Sequence, residues 1–245
     1  MSEAGFLYRP LDTPKRLADG LWIVDGPKIR FYGIPFPTRM TVVRQAGGGL
    51  WLHSPIAWTP ALAARLAALG PVAHLIAPNS FHYAGLPGWA TRCPGASVWA
   101  APGVAGRAVR HGVDFPPHAV LGGTPPADWA GEIDQLHLDG NRLMDEIAFF
   151  HHASRTLILT DLIQNFERRR LGPVMRWLVL IAGTRHPDGK MPIDMRLAYA
   201  GRRDRLRAAV RRMIAWDPAQ VVMAHGRIYA TDGAAELRRA FRRLL

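Results

Sequence analysis

The sequence predicts an α/β fold in four layers, an α/β/β/α sandwich of two sheets with helices outside. Three observations predict it. Strand-like runs alternate with amphipathic helical runs in an order that implies parallel pairing. The same alternation recurs in the second half of the chain. Finally, a residue able to ligate a metal comes within a few positions of the end of three separate apolar runs, as expected where strand ends project onto a common rim.

The elements follow in order. "GLWIVDG" and "RMTVVRQ" are rich in β-branched and aromatic residues and read as strands. Gly47 to Gly49 make a turn, and "LWLHS" is the return strand. "TPALAARLAALG" is a helix capped by Thr59, with Pro60 first, Gly70 last, and Leu62, Leu66 and Leu69 as its buried stripe. "VAHLIA" is a short buried strand, "FHYAGLPGWATRC" a loop passing into a helix, and "ASVWA" a strand. The Pro/Gly-rich stretch 101–130 leaves room for one short helix, Val104 to His111. "DQLHLDG", "EIAFFHH" and "RTLILTD" are strands spaced as a meander. "RLRAAVRRMIAW" is a helix, "AQVVMAHG" a strand, and "DGAAELRRAFRRLL" a closing amphipathic helix with Leu237, Phe241 and Leu244 inward.

Composition narrows the function. With 245 residues, 49% apolar and 20% charged, the chain suits one domain spanning 1–245; no linker, low-complexity run or repeat divides it. The single cysteine, Cys93, excludes an internal disulfide and a Cys-based zinc knuckle. The first twenty residues lack the basic-then-apolar pattern of a secretory leader, and a cytoplasmic location is expected. The apolar run Val174 to Gly183 is about half of what a bilayer crossing needs. It is read as a lid over the cleft, a homodimer contact or a peripheral membrane contact. A net charge of +12, nearly all from arginine, attracts anions, but no aromatics interleave with the arginines to stack bases, so no specific nucleic acid is expected.

The candidate ligands are His82 after "HLIAP", Asp161 after "TLILT" and His225 after "QVVMA". Two imidazoles and a carboxylate can hold one divalent metal, zinc, iron or manganese, and no nucleotide or organic cofactor is implied. Each residue alone also suits a structural role: Asp161 as a cap, His225 as a brace for the turn at Gly226.

The element order and these motifs resemble the metallo-β-lactamase superfamily from about Leu17 to Leu245. More narrowly, "RMTVVR", "LHSP", "APNSFH", "SRTLILTDL" and Asn165 resemble a branch known only as a domain of unknown function. The resemblance implies a site altered in a particular way. The family loop is His-x-His-x-Asp-His-x-Gly-Gly, and here Ala77, Asn79 and Phe81 stand where His, His and Asp are usual. Ser54-Pro55 stand where the family has Asp-x-Gly. His82, Asp161 and His225 match members of the family's second metal site, so a mononuclear centre is implied. The place of a further family His offers Glu146 as a fourth ligand. His53, Asn79, His151 and Asn165 are candidates for contact with substrate or with the ligands. The arginines of "ERRR" are expected at the cleft mouth, favouring a small anionic substrate. Two functions remain open: a mononuclear hydrolase of an ester, lactone, thioester or phosphoester, and a non-catalytic descendant that binds a ligand or partner.

Overall fold

The computed structural model describes residues 7–31 and 33–245; the first six residues of the stretch read above as carrying no leader lie outside them. Seven strands form the first sheet: β1 (Lys15–Ala18), β2 (Leu21–Phe31), β3 (Ile34–Arg44), β4 (Leu50–His53), β5 (Val72–Ala77), β6 (Ser97–Ala100) and β7 (Ala119–Val120). Their spatial order is their chain order. β1 to β4 pair antiparallel, as tight turns allow. β4 to β7 pair parallel. Their crossovers carry α1 (Pro60–Ala67), α2 (Leu86–Arg92) and α3 (Val104–Arg110). The Thr59 side chain accepts from the Leu62 amide, and Leu62 and Leu66 are buried, as the α1 pattern predicts.

The second sheet has the order β11-β10-β9-β8, from β8 (Ile133–Leu138), β9 (Glu146–His151), β10 (Thr156–Ile158) and β11 (Gln220–Val222). The meander is as expected, and β11 joins β10 in parallel. The long crossover between them holds α4 (Pro173–Ala182), α5 (Ile193–Ala198) and α6 (Arg203–Ala215), and α7 (Gly233–Ala240) closes the chain. The sequence pattern misses α5, a six-residue helix too short to show a repeat. It also underestimates β2 and β3, because Gly26 and the prolines at 27, 35 and 37 interrupt the alternation while the ladder continues past a register shift. β10 is shorter than "RTLILTD": the chain leaves the ladder before Asp161.

Two main cores fill the four layers, and a smaller one lies under α4. Ile133, Ile147, Phe149 and Ile158 of the second sheet join Trp51 and Leu75 of the first in one cluster, with Trp51 and Phe149 in edge contact at 4.9 Å. The opposite side of the second sheet, through Ala148, Leu157 and Val221, packs on Leu206, Val210 and Met213 of α6 and on Leu237 of α7. Alternation along β9 therefore buries both faces.

A buried ion pair fastens the carboxyl end of β11 to the first sheet. Asp25 and Arg39 are register partners on β2 and β3, both nearly inaccessible. The Arg39 Nε donates to Asp25 at 2.8 Å, and its Nη1 donates to the carbonyls of Met223 at 2.7 Å and Gly226 at 2.8 Å. Lys15 adds a second cation to Asp25 at 2.7 Å. Burying a guanidinium is unfavourable unless its donors are used, and here they span the two residues flanking Ala224 and His225. Arg39→Met should destabilise the protein by about 3 kcal/mol, since it leaves a buried carboxylate and two carbonyls short of donors. Urea unfolding checks this, and a loss below about 1 kcal/mol would contradict it.

Candidate metal centre

His82, Asp161 and His225 converge, with one ligand atom from each lying within 4.8 Å of the other two. The three are buried nearly completely, their side chains 11%, 11% and 6% exposed. His82 Nε2 is 3.2 Å from Asp161 Oδ2, and His225 Nε2 is 3.2 Å from Asp161 Oδ1. The first sheet supplies His82 from the loop after β5, and the second supplies Asp161 and His225 from the ends of β10 and β11.

Each imidazole is aimed by its other nitrogen. His82 Nδ1 lies 2.7 Å from Ser54 Oγ. Ser54 ends β4 at φ +54°, a conformation that costs a non-glycine residue roughly 1 kcal/mol. His225 Nδ1 lies 3.0 Å from the Pro37 carbonyl on β3. A carbonyl only accepts, so this Nδ1 carries the proton. Nε2, the other nitrogen, then faces the Asp161 carboxylate, an acceptor: as a lone pair it meets a second acceptor, and with a proton it donates there. Two acceptors in contact need a cation between them, either a proton or a metal ion. The donor set therefore suits a divalent ion.

Asn79 and Glu146 support the three without joining them. The Asn79 side-chain amide donates to Asp161 Oδ2 at 2.8 Å and to Thr160 Oγ1 at 2.9 Å. Its carbonyl accepts from the amides of Phe81 and His82 at 2.8 and 3.0 Å, folding the loop that presents His82. Glu146, expected as a fourth ligand, instead accepts the backbone amides of Thr160, Asp161 and Leu162 at 2.7, 3.0 and 3.1 Å. Both its oxygens are thus committed to holding the strand end that bears Asp161, and it stands outside the converging group.

Glycine makes two close approaches feasible. A Cβ at Gly85 would lie 2.2 Å from the Pro55 carbonyl, which explains the glycine of His-x-x-Gly. Gly226 has φ +95°, and a Cβ there would lie 2.1 Å from the Asn165 carbonyl.

Three other candidates lie elsewhere. Asn165 is buried and braces this turn: its side chain donates to the Arg227 carbonyl at 2.8 Å and its amide to that of His225 at 3.2 Å. His151 lies at the far end of β9 from Glu146, about 17 Å along the strand. There it meets Ser154 Oγ at 2.7 Å and closes the β9–β10 hairpin. His53 is buried between Trp51 and Phe149. Burial, then the charge of His82, lowers its pKa to about 3, so it is neutral in the folded protein.

Electrostatics around Asp161 follow from burial and its partners. Burial alone would raise its pKa, but His82 and hydrogen bonds from both imidazoles hold it well below the usual carboxylate range. Burial lowers the His82 pKa, but the Asp161 charge, the hydrogen bond to Asp161 and the Glu146 charge together outweigh it and raise the imidazole above its ordinary value. Burial, then the charge of Asp161, raises Glu146, opposed by the backbone amides.

The centre forms the floor of a pocket of about 230 Å³. Ile29, Phe36, Ile56, Phe81, Met144 and Met195 are the large apolar side chains of its wall, and Ser54, Thr38, Gln164 and Asp194 are polar members. Among the described residues that line it none is Lys or Arg, in place of the expected arginine-lined mouth. Arg169 and Arg170 are drawn to Glu167 instead, at 2.8 and 2.9 Å. Phe81, in the family's Asp position, faces this pocket under the Arg107 guanidinium at 4.4 Å.

The four layers and the strand-end loops define a protein of the metallo-β-lactamase fold. Solved structures agree. The metallo-beta-lactamase from Pontibacter korlensis matches at 15% identity and a TM-score of 0.62, covering 97% of this chain and 98% of that one. FIM-1 from Pseudomonas aeruginosa, in its mono-zinc form, matches at 12% and 0.62, covering 95% and 94%. The metallo beta lactamase from Hirschia baltica matches at 17% and 0.60, covering 94% and 96%. At such identities the likeness shows the fold. The chain belongs to the family described as a domain of unknown function, DUF4336, whose model matches residues 18–175. It matches no curated protein.

Two outcomes follow. Glu146→Gln replaces an acceptor oxygen by a donor that confronts backbone amides. It should cost about 2 kcal/mol in urea unfolding, and a neutral result would place those amides elsewhere. The second concerns pH. His82, raised in the folded state, contributes stability that is complete below its unfolded pKa near 6.5 and lost as pH rises through its folded value. Glu146, raised above its ordinary value, acts in the same direction. Metal-free protein should therefore melt at lower temperature from pH 6.5 to pH 9, whereas a rising Tm would contradict the assignment. Asp161 acts oppositely: its contribution is present above about pH 4 and lost as pH falls through its depressed pKa.

Proposed function

We propose that residues 1–245 form one metallo-β-lactamase-like domain, cytoplasmic, that binds a single divalent metal ion through His82, Asp161 and His225. We propose further that it hydrolyses an ester, lactone, thioester or phosphoester bearing an apolar group. One observation carries the reading: two imidazole Nε2 atoms face a single carboxylate, and at His225 the proton belongs to the other nitrogen. Nitrogen and carboxylate ligands together suit zinc, iron or manganese. A mono-zinc form is known for FIM-1, a protein of this fold.

A divalent ion at this position supplies Lewis acidity, polarising an ester carbonyl or phosphoryl oxygen and acidifying water. The chain's own residues do the rest. Ser54 and Pro37 fix the ring orientations. Asn79 places a neutral donor on Asp161 Oδ2, which limits how much negative charge that oxygen can offer. Phe81, Ile56, Met144 and Met195 take up the apolar group and exclude water. A wall without Lys or Arg disfavours a substrate recognised by its negative charge.

The non-catalytic alternative has its own support. The Asn79 amide already satisfies part of Asp161, and the pocket is smaller than the roughly 300 Å³ at which ligand cavities usually begin. Elemental analysis of untagged protein separates the two. Close to one equivalent of metal is expected, falling at least about tenfold in Asp161→Asn and in His225→Ala. Turnover of long-chain p-nitrophenyl esters should fall in parallel. Near-zero metal in all three proteins would overturn the metal reading; metal without turnover on ester, lactone, thioester and phosphoester panels would favour the binding protein.

A further inference from the structure

The helix α4 carries an outward apolar stripe that nothing among the described residues covers. Val174, Trp177, Leu180 and Ile181 are 74%, 64%, 58% and 49% exposed. At 100° per residue they fall within one third of the helix circumference. The opposite side is used differently: Val179 and Met175 pack on Phe166, Leu171 and Phe36. On the adjacent α5, Ile193 and Leu197 are exposed as well, at 41% and 67%. No helix among the described residues is long and apolar enough to cross a membrane, so the stripe belongs to a surface.

Arginines frame it. Arg168 and Arg169 precede α4, Arg176 lies within it, Arg185 follows it, and Arg196 lies on α5. Among the described residues, Arg168, Arg176, Arg185 and Arg196 enter no ion pair. Asp194 is the sole acidic residue in α4 and α5. An exposed apolar strip with an interfacial tryptophan, edged by unpaired cations, complements a surface that is apolar beneath and anionic above. A second copy of the chain complements it poorly, because a two-fold contact sets the same arginines against themselves.

We propose that α4 and α5 dock this protein on an anionic lipid bilayer. The docking helices adjoin the pocket wall. Phe36 packs in the α4 cluster, lines the pocket and makes an edge contact with His225 at 5.2 Å. Met195 and Asp194 of α5 also line the pocket. If the hydrolase reading holds, docking brings the apolar pocket to substrates dissolved in lipid; that consequence rests on the reading, whereas docking itself requires neither metal nor turnover.

Co-sedimentation of the full chain with large unilamellar vesicles tests it. The protein should pellet with vesicles of phosphatidylcholine containing phosphatidylglycerol, and about tenfold less with phosphatidylcholine alone. Trp177→Glu with Leu180→Glu should weaken binding at least about tenfold, and Arg185→Glu with Arg196→Glu should weaken it while leaving the stripe intact. Circular dichroism confirms that these surface variants fold. Failure of the parent chain to pellet with anionic vesicles, or equal binding by the Trp177/Leu180 variant, would overturn the proposal. So would a dimer in sedimentation velocity that this variant abolishes while no vesicles are bound. Loss of metal content or turnover in other variants leaves the docking result unaffected, so the two readings fail separately.

Discussion

The geometry of this protein is organised around one buried carboxylate held between two imidazoles. Asp161 presents one oxygen to His82 and the other to His225, each at 3.2 Å, while Asn79 donates to the first oxygen and Glu146 anchors the Asp161 amide. A carboxylate so far out of water is costly unless its oxygens meet donors or cations. The two halves of the molecule must therefore meet with their strand ends aligned. The contacts that align them, Ser54 to His82 and Pro37 to His225, both originate in the first sheet. Arg39 reaches across to the carbonyls on either side of His225 and keeps the second sheet in place.

The departures from the family loop acquire physical meaning in this setting. Asn79 stands where the resemblance places a histidine, and it closes a turn through its carbonyl while its amide donates to Asp161. Phe81 stands where an aspartate is usual and contributes an aromatic wall to the pocket. By that resemblance Asn79 stands at one metal position and Phe81 at the other; here they serve as scaffold and lining, while His82, Asp161 and His225 converge. Glu146 follows the same logic: its carboxylate serves three backbone amides and is unavailable as a ligand.

Much of this was legible from the chain. His82, Asp161 and His225 could be read because each follows a short apolar strand, and strand ends of an α/β fold share a rim. The layers could be read from alternating periods and from helix signals such as Thr59-Pro60. Orientation could not. The strand pattern places Glu146 at the start of β9, but its partners are backbone amides, which leave no mark in sequence. Asn165 and His151 were polar residues in suggestive context whose partners are a neighbouring turn and a hairpin serine. The arginines of "ERRR" lie close to Asp161 in sequence yet turn to Glu167. Ser54 and the Asp25–Arg39 pair left faint signals, namely a serine at a strand end and charges within apolar strands, that acquire meaning once the register of β2 and β3 is known.

The central claim is that the Asp161-centred pair of imidazoles holds a cation through Nε2 on both rings. Side-chain nitrogen NMR during zinc titration tests it directly. Both Nε2 resonances should move to metal-coordinated positions as one equivalent is added, with the His225 Nδ1 proton retained on its bond to Pro37. Rings that ignore zinc, or a His225 that binds it through Nδ1, would contradict the account.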